Sequence, residues 1–245
     1  MCGRFVSSTG PADLASHFGA ETIVGDVPAR WNVAPTARVW VVHDADSRRT
    51  LETMRWGLVP SWADGPAVGN RMFNARAETV TTKPAYRAAA RRRRCIVPAD
   101  GFYEWTAVAG HSRKQAWYFH HADGSPLAMA GLWEIWGASP DEHDALRTCT
   151  VVTTNADAVV APVHDRMPLI LSDDLIDGWL DPSVSDPDEV SAMLARSEPH
   201  QLVAHAVGSA VNNARNDGPE LVRPLDNAAG DTAGGSGPDD RPRLW

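Results

Sequence analysis

At 245 residues and 43% hydrophobic content, the chain is long enough to bury a core as one large domain or two small ones. It contains no run of 18 apolar residues to span a bilayer, and Arg4, Asp13 and His17 interrupt any signal-peptide pattern, so the expected location is the cytoplasm. The net charge of −8 excludes a uniformly basic surface, yet residues 1–120 carry 16 Lys+Arg against 10 Asp+Glu while residues 121–245 carry 7 against 21, so only the first half can present a basic face.

The chain begins "MCGRF". Methionine before a small residue is normally removable, which would leave Cys2 with a free amine and a thiol on neighbouring carbons, a pair that reacts with aldehydes. Against this stands a plain reading of Cys2 as a surface or small buried apolar residue. Cys2, Cys95 and Cys149 are odd in number and widely spaced, which argues against a disulfide framework and a paired-cysteine zinc site. With no HExxH motif and His120-His121 in a strand-like run, neither metal nor cofactor is expected.

"STGPADLASHFG" predicts a short helix with Ser8 or Thr9 near its N-cap and Leu14 and Phe18 on one face. Strands are predicted at "RVWVVH", "LETMRWGL", "CIVPADGFYEW", "AWYFHH", "LAMAGLWEIW", "TCTVVTT", "PLIL" and "LVAHAV". "PAYRAAARRRR" predicts a basic helix, and Arg91 to Arg94 at its end read equally as a solvated terminus or a phosphate contact. "SDDLIDGWL" and "DPDEVSAMLAR" predict two further helices capped by Ser172 and Asp186. Strands dominate without regular strand-helix alternation, so the expected fold class is α+β, a single domain of residues 1–225 built around mainly antiparallel sheet with short peripheral helices. Residues 226–245, rich in Gly, Asp and Pro, read as a disordered tail.

Three further segments combine ionisable and turn-forming residues. In "GFYEW", Glu104 between aromatics suits proton transfer near neutrality, although an outward-facing strand residue fits the segment as well. In "VHDRMP", His164 stands as an acid, a base or a phosphate donor, or Asp165 and Arg166 simply pair in a turn. In "MFNARAET", Asn74 and Arg76 share one face of an extended chain, with Glu78 two residues on, a pairing that suits an anionic sugar-phosphate.

Together with "RWNVAPT", "RWGLVPSW" and "VVTTNAD", these segments resemble the SRAP family, the SOS response-associated peptidases, from Met1 to about Pro224. The resemblance implies recognition of abasic sites in single-stranded DNA and a covalent thiazolidine cross-link through mature Cys2, shielding the lesion, with Met1 removed either by the protein itself or by an aminopeptidase. It assigns Cys2 as nucleophile, Glu104 as proton carrier, Asn74 as the group orienting the Cys2 terminus or the deoxyribose, and His164 as an aid to ring opening. Arg4, Arg76 and Arg166 would bind phosphates, Thr153 would add a hydroxyl, and Trp62 and Trp105 would stack on bases. It also implies association with the nucleoid when DNA is damaged. Two other readings remain: an autoprocessing cysteine peptidase, and a non-covalent single-stranded DNA-binding module for which Cys2 is dispensable.

Overall fold

The computed structural model describes residues 2–45, 48–110, 113–137, 145–196 and 201–225. The expected tail at 226–245, and Met1 with its removal, lie outside the described residues. In chain order the elements are β1 (Phe5–Ser7), α1 (Pro11–Phe18), β2 (Thr22–Val24), β3 (Arg30–Val33), β4 (Arg38–Ala45), β5 (Arg48–Trp56) and β6 (Asn74–Arg76). There follow α2 (Arg87–Arg92), β7 (Arg94–Ala99), β8 (Gly101–Thr106), β9 (Gln115–His121), β10 (Leu127–Trp136) and β11 (Leu146–Asn155). The last are β12 (Arg166–Pro168), α3 (Asp173–Leu180), α4 (Pro187–Ala195) and β13 (Leu202–Val207). Among the described residues no helix is long and apolar enough to cross a membrane.

The strands form two mainly antiparallel sheets, as expected. One runs β13-β9-β8-β1-β3 and the other β12-β11-β10-β7-β4-β5-β2. A parallel pairing of Thr148 and Cys149 with Arg55 and Trp56 joins β11 back to β5, closing β11, β10, β7, β4 and β5 into a small barrel. Period-2 alternation sorts the side chains of these strands into two cores. Trp40, Val42, Ile96 and Val152 pack with Leu14 and Phe18 of α1 and Trp179 of α3. Val39, Val41, Val97 and Val151 pack instead with Phe5, Phe102 and Phe119 of the five-stranded sheet.

The stretch "CIVPADGFYEW", expected as one strand, is two, since β7 belongs to the barrel and β8 to the other sheet. The chain changes sheets at Asp100, whose carboxylate accepts from the backbone N–H and hydroxyl of Ser8 at 2.5 and 2.8 Å, and from both N–H and hydroxyl of Thr9. Ser8 and Thr9 are therefore tied to Asp100, and the N-cap of α1 is Gly10. Gly101 permits the next strand to close on β9, because a Cβ there would collide with the Phe119 carbonyl oxygen. "PLIL" begins on Pro168, the last residue of β12, opposite Thr153, and continues only as an isolated bridge from Ile170 to Met129. Asp186 caps α4 through the N–H groups of Asp188 and Glu189, whereas Ser172 precedes α3 but donates its hydroxyl to Asp174.

The arginine run divides among several tasks. Arg94 opens β7 and is 2% exposed, its guanidinium donating to the carbonyls of Trp179, Ala90, Arg91 and Asp181. Arg93 pairs with Glu134 at 2.7 Å, Arg91 donates to Ser185 O at 3.2 Å, and Arg92 is exposed. The run as a whole is thus neither a solvated terminus nor a continuous basic surface.

Candidate functional site

Four elements bring their side chains to one place. β1 lies between β3 and β8, with Phe5 opposite both Val33 and Phe102, and this draws the segment before it alongside β8. The Tyr103 N–H donates to Arg4 O at 3.0 Å, fixing that alignment. Cys2 is thereby buried with Phe5, Trp56 and Phe102. β6 pairs in parallel with β11, Asn74 opposite Val151, and the Asn74 amide Nδ2 donates to the Cys2 carbonyl at 2.7 Å. Asn74 Oδ1 is also buried and has no hydrogen-bond partner among the described residues.

Glu104, on β8, is 3% exposed, which removes the reading of it as an outward-facing strand residue. Burial raises its carboxyl pKa above the ordinary range, with the nearby His164 pulling it back down. Its charge in turn adds to burial in pushing the Cys2 thiol well above the usual thiol range. His164 lies in the turn before β12 with Nε2 4.0 Å from Glu104 Oε2. Its Nδ1 is 2.9 Å both from the Arg166 N–H and from Asp165 Oδ1. A ring nitrogen cannot accept from the first and donate to the second at once. The neutral ring that accepts from Arg166 carries its proton on Nε2, facing Glu104; the imidazolium would turn to Asp165. This arrangement sets a buried carboxyl near the Cys2 thiol, and an imidazole near that carboxyl.

The arginines expected to contact phosphate occupy different settings. Arg76 is exposed on β6, beside Thr153 of β11. Arg166 on β12 is held in a fork by Glu78, NH1 to Oε1 at 2.5 Å and NH2 to Oε2 at 3.1 Å, and it also donates to Asn155 Oδ1 and Thr153 O at 2.9 and 2.6 Å. Thr153 is 1% exposed and its hydroxyl donates to Ala75 O, so in this geometry it supports Arg166 from within and offers no hydroxyl to solvent, contrary to expectation. Arg4 is half-buried and donates to Asn32 Oδ1 at 2.8 Å and Val211 O at 2.9 Å, with its guanidinium over the Trp105 ring. Desolvation lowers its pKa.

Trp105 follows Glu104 on β8 and so points to the other face of the sheet, where its Nε1 donates to Asn212 Oδ1 at 2.6 Å. Trp62 stands 65% exposed on the loop after β5, and the Trp136 indole anchors that loop by donating to Ala63 O. A concavity of about 560 Å³ lined by His43, Glu52 and Arg147, among others, lies at another part of the barrel and includes none of these residues.

Sequence reasoning overlooked two organising residues. Asn32 is fully buried, accepts from Arg4, and donates to the carbonyls of Val211, Asn213 and Asn216. Its one signal was an amide inside the apolar segment "RWNVAP". Glu78 was noted only by position, and nothing in its spacing reveals its partner 88 residues away.

The chain resembles known proteins over most of its length. Residues 1–214 match the family model for SOS response associated peptidase (SRAP). Over 224 residues the chain is 36% identical to the abasic site processing protein YoqW of Bacillus subtilis, covering 91% of this chain and 99% of that one. It is equally 36% identical to the abasic site processing protein YoaM of the same organism, covering 91% and 97%. A crystal structure of a protein from Bacteroides thetaiotaomicron superposes with a TM-score of 0.78 at 23% identity, covering 91% of this chain and 100% of that one, and shares the fold.

Proposed function

Since the chain belongs to the SOS response associated peptidase family, we propose that it captures abasic sites in single-stranded DNA and cross-links to them through the mature N-terminus at Cys2. The observation that carries this reading is the Asn74 amide on the Cys2 carbonyl beside a buried Glu104 of raised pKa. The names of two curated relatives support abasic sites as the substrate class.

An abasic deoxyribose opens to an aldehyde. The Cys2 amine, with an ordinary pKa of about 7.7–8.0, is partly neutral at cellular pH and attacks the aldehyde carbon. The carbinolamine loses its hydroxyl as water, with protonated Glu104 supplying the proton and its carboxylate then taking the proton from nitrogen, and leaves a Schiff base. The thiol then adds to the same carbon, the S–C bond forming as the thiol proton passes to nitrogen. The product is a five-membered thiazolidine, and the net change is loss of one water.

A thiol whose pKa is raised by burial is a poor free nucleophile, so this order assigns the first attack to the amine. Ring closure is intramolecular and benefits from proximity. Asn74 fixes the backbone of the nucleophile through Cys2 O and has Oδ1 as an acceptor for the amine N–H. His164 Nε2 faces Glu104 at 4.0 Å and, carrying its proton there, steadies the carboxylate while the acid's proton is away. Arg76 and Arg166 are the phosphate contacts of this reading, and Trp62 is its exposed stacking surface.

Intact mass before and after incubation with a single-stranded oligonucleotide carrying one abasic site tests the proposal. The expected result is a chain lacking Met1 that gains the oligonucleotide's mass less one water, a gain abolished in Cys2→Ala. Turnover of peptides with no adduct would install the peptidase reading; lesion binding that survives Cys2→Ala undiminished, with no adduct, would install the plain binding module.

A further inference from the structure

We propose that Glu78 is the displaceable counter-anion of Arg166, so that capture of a DNA strand exchanges this carboxylate for a backbone phosphate and keeps the hold on intact strands weak. The inference rests on the reading of this face as a DNA-binding site, and adds to it a residue that opposes binding.

Arg166 is locked from behind. Its side chain is 12% exposed, NH2 donates to Thr153 O at 2.6 Å, and NH1 donates to Asn155 Oδ1 at 2.9 Å. A guanidinium this deeply placed is costly to leave without a negative partner. In the free protein that partner is Glu78, both of whose oxygens engage the fork. A phosphate presents two oxygens in the same planar geometry, so carboxylate and phosphate compete for one fork.

Of the two members of the pair, Glu78 is the one able to leave. It is 47% exposed and sits in the single 3₁₀ turn Ala77–Thr79 that follows β6, so rotating its side chain outward returns the carboxylate to water. Arg76, two residues earlier and exposed, gives the incoming strand a first electrostatic hold beside the fork. An intact strand that displaces Glu78 gains nothing further and is released. A strand with an aldehyde is retained by the bond to Cys2. Weak non-covalent capture therefore shortens the time lost on undamaged DNA.

The test uses the full-length protein and three measurements: binding of an intact single-stranded oligonucleotide by fluorescence anisotropy, the protein concentration giving half-maximal adduct formation on an abasic oligonucleotide, and inhibition of that adduct by excess intact strand. Glu78→Gln keeps the shape and removes the charge. It should bind the intact strand about fivefold tighter at low salt, an effect of the size expected for losing one exposed ion pair and one repulsive charge. The gain should shrink as salt is raised.

The half-maximal concentration should fall, while inhibition by intact competitor should strengthen about fivefold. These opposite changes are not what a merely structural role would give. Glu78→Asp, which keeps the charge, should return the binding to within about twofold of the original. Glu78→Ala serves as the second neutral variant if Glu78→Gln lacks a cooperative thermal transition. Weaker or unchanged binding of the intact strand by a folded neutral variant would overturn the proposal. Tighter binding by that variant in a protein that never forms a Cys2-dependent adduct would leave the exchange standing and remove the cross-linking function.

Discussion

Two buried charges in this molecule meet the same penalty with different results. Arg94 is 2% exposed and Glu104 is 3% exposed, and in each case loss of hydration pushes the pKa toward the neutral form. For Arg94 the shift ends at about 10, still above cellular pH, so the guanidinium stays charged and its four carbonyl partners make it a fixed joint between β7, α2 and the end of α3. For Glu104 the same penalty acts on a group that starts low, and raises it. Desolvation leaves one a charged scaffold and, in the proposed mechanism, suits the other to carry protons, because their starting pKa values lie on opposite sides of neutrality.

The comparison can be broken most forcefully at Arg94. Arg94→Ala leaves four inward-pointing carbonyls without their shared donor, and should destabilise the fold by about 3–5 kcal/mol. Thermal unfolding measures this, and a small loss would mean that water replaces the guanidinium. Glu104→Gln should act in the other sense. Adduct formation should slow by about 10²-fold or more, the range for losing a general acid or base, as followed by gel shift of the cross-linked species.

Stability should rise in that variant, by about 3 °C in Tm at a pH where Glu104 is ionised, because a neutral amide then replaces a buried charge. The sign follows from the raised pKa: ionised Glu104 destabilises the native state above its unfolded pKa, and that burden is relieved as pH falls through the folded value. The Tm advantage of Glu104→Gln should therefore shrink in acid, and an advantage that grows instead would refute the assignment. The smallest effect is expected at Asn74→Ala, which removes a single hydrogen bond to Cys2 O: adduct formation about tenfold slower with Tm nearly unchanged.

The long strands were legible because their apolar residues are dense enough to declare themselves, as in β4, β10 and β11. The strands β1, β2, β3 and β6 have only three or four residues each and carry no periodicity long enough to detect. The split of β7 from β8 was hidden for a different reason: Asp100 looks like a turn residue, but its task is to bind Ser8 and Thr9, more than 90 positions away. Of the site, residue types and order were readable from the family resemblance, and Glu104's burial was not, since Phe102, Tyr103 and Glu104 are buried in succession and break the alternation a solvent-facing strand would show. The arginines misled most. The conspicuous run at 91–94 contains the most deeply buried guanidinium described, while the phosphate candidates are scattered singly through the chain.

The hydrogen bond from Arg4 to Val211 O spans 207 positions, and Asn32 ties the same region to Asn213 and Asn216. Tyr103 holds the Arg4 backbone beside β8, while the Arg4 side chain reaches a segment far later in the chain. Contacts of such sequence separation form late, after the shorter loops have closed. A chain without residues 211–216 would leave the Arg4 guanidinium and the Asn32 amide without these carbonyl partners. Assembly of this corner of the fold therefore waits on the segment around residues 211–216.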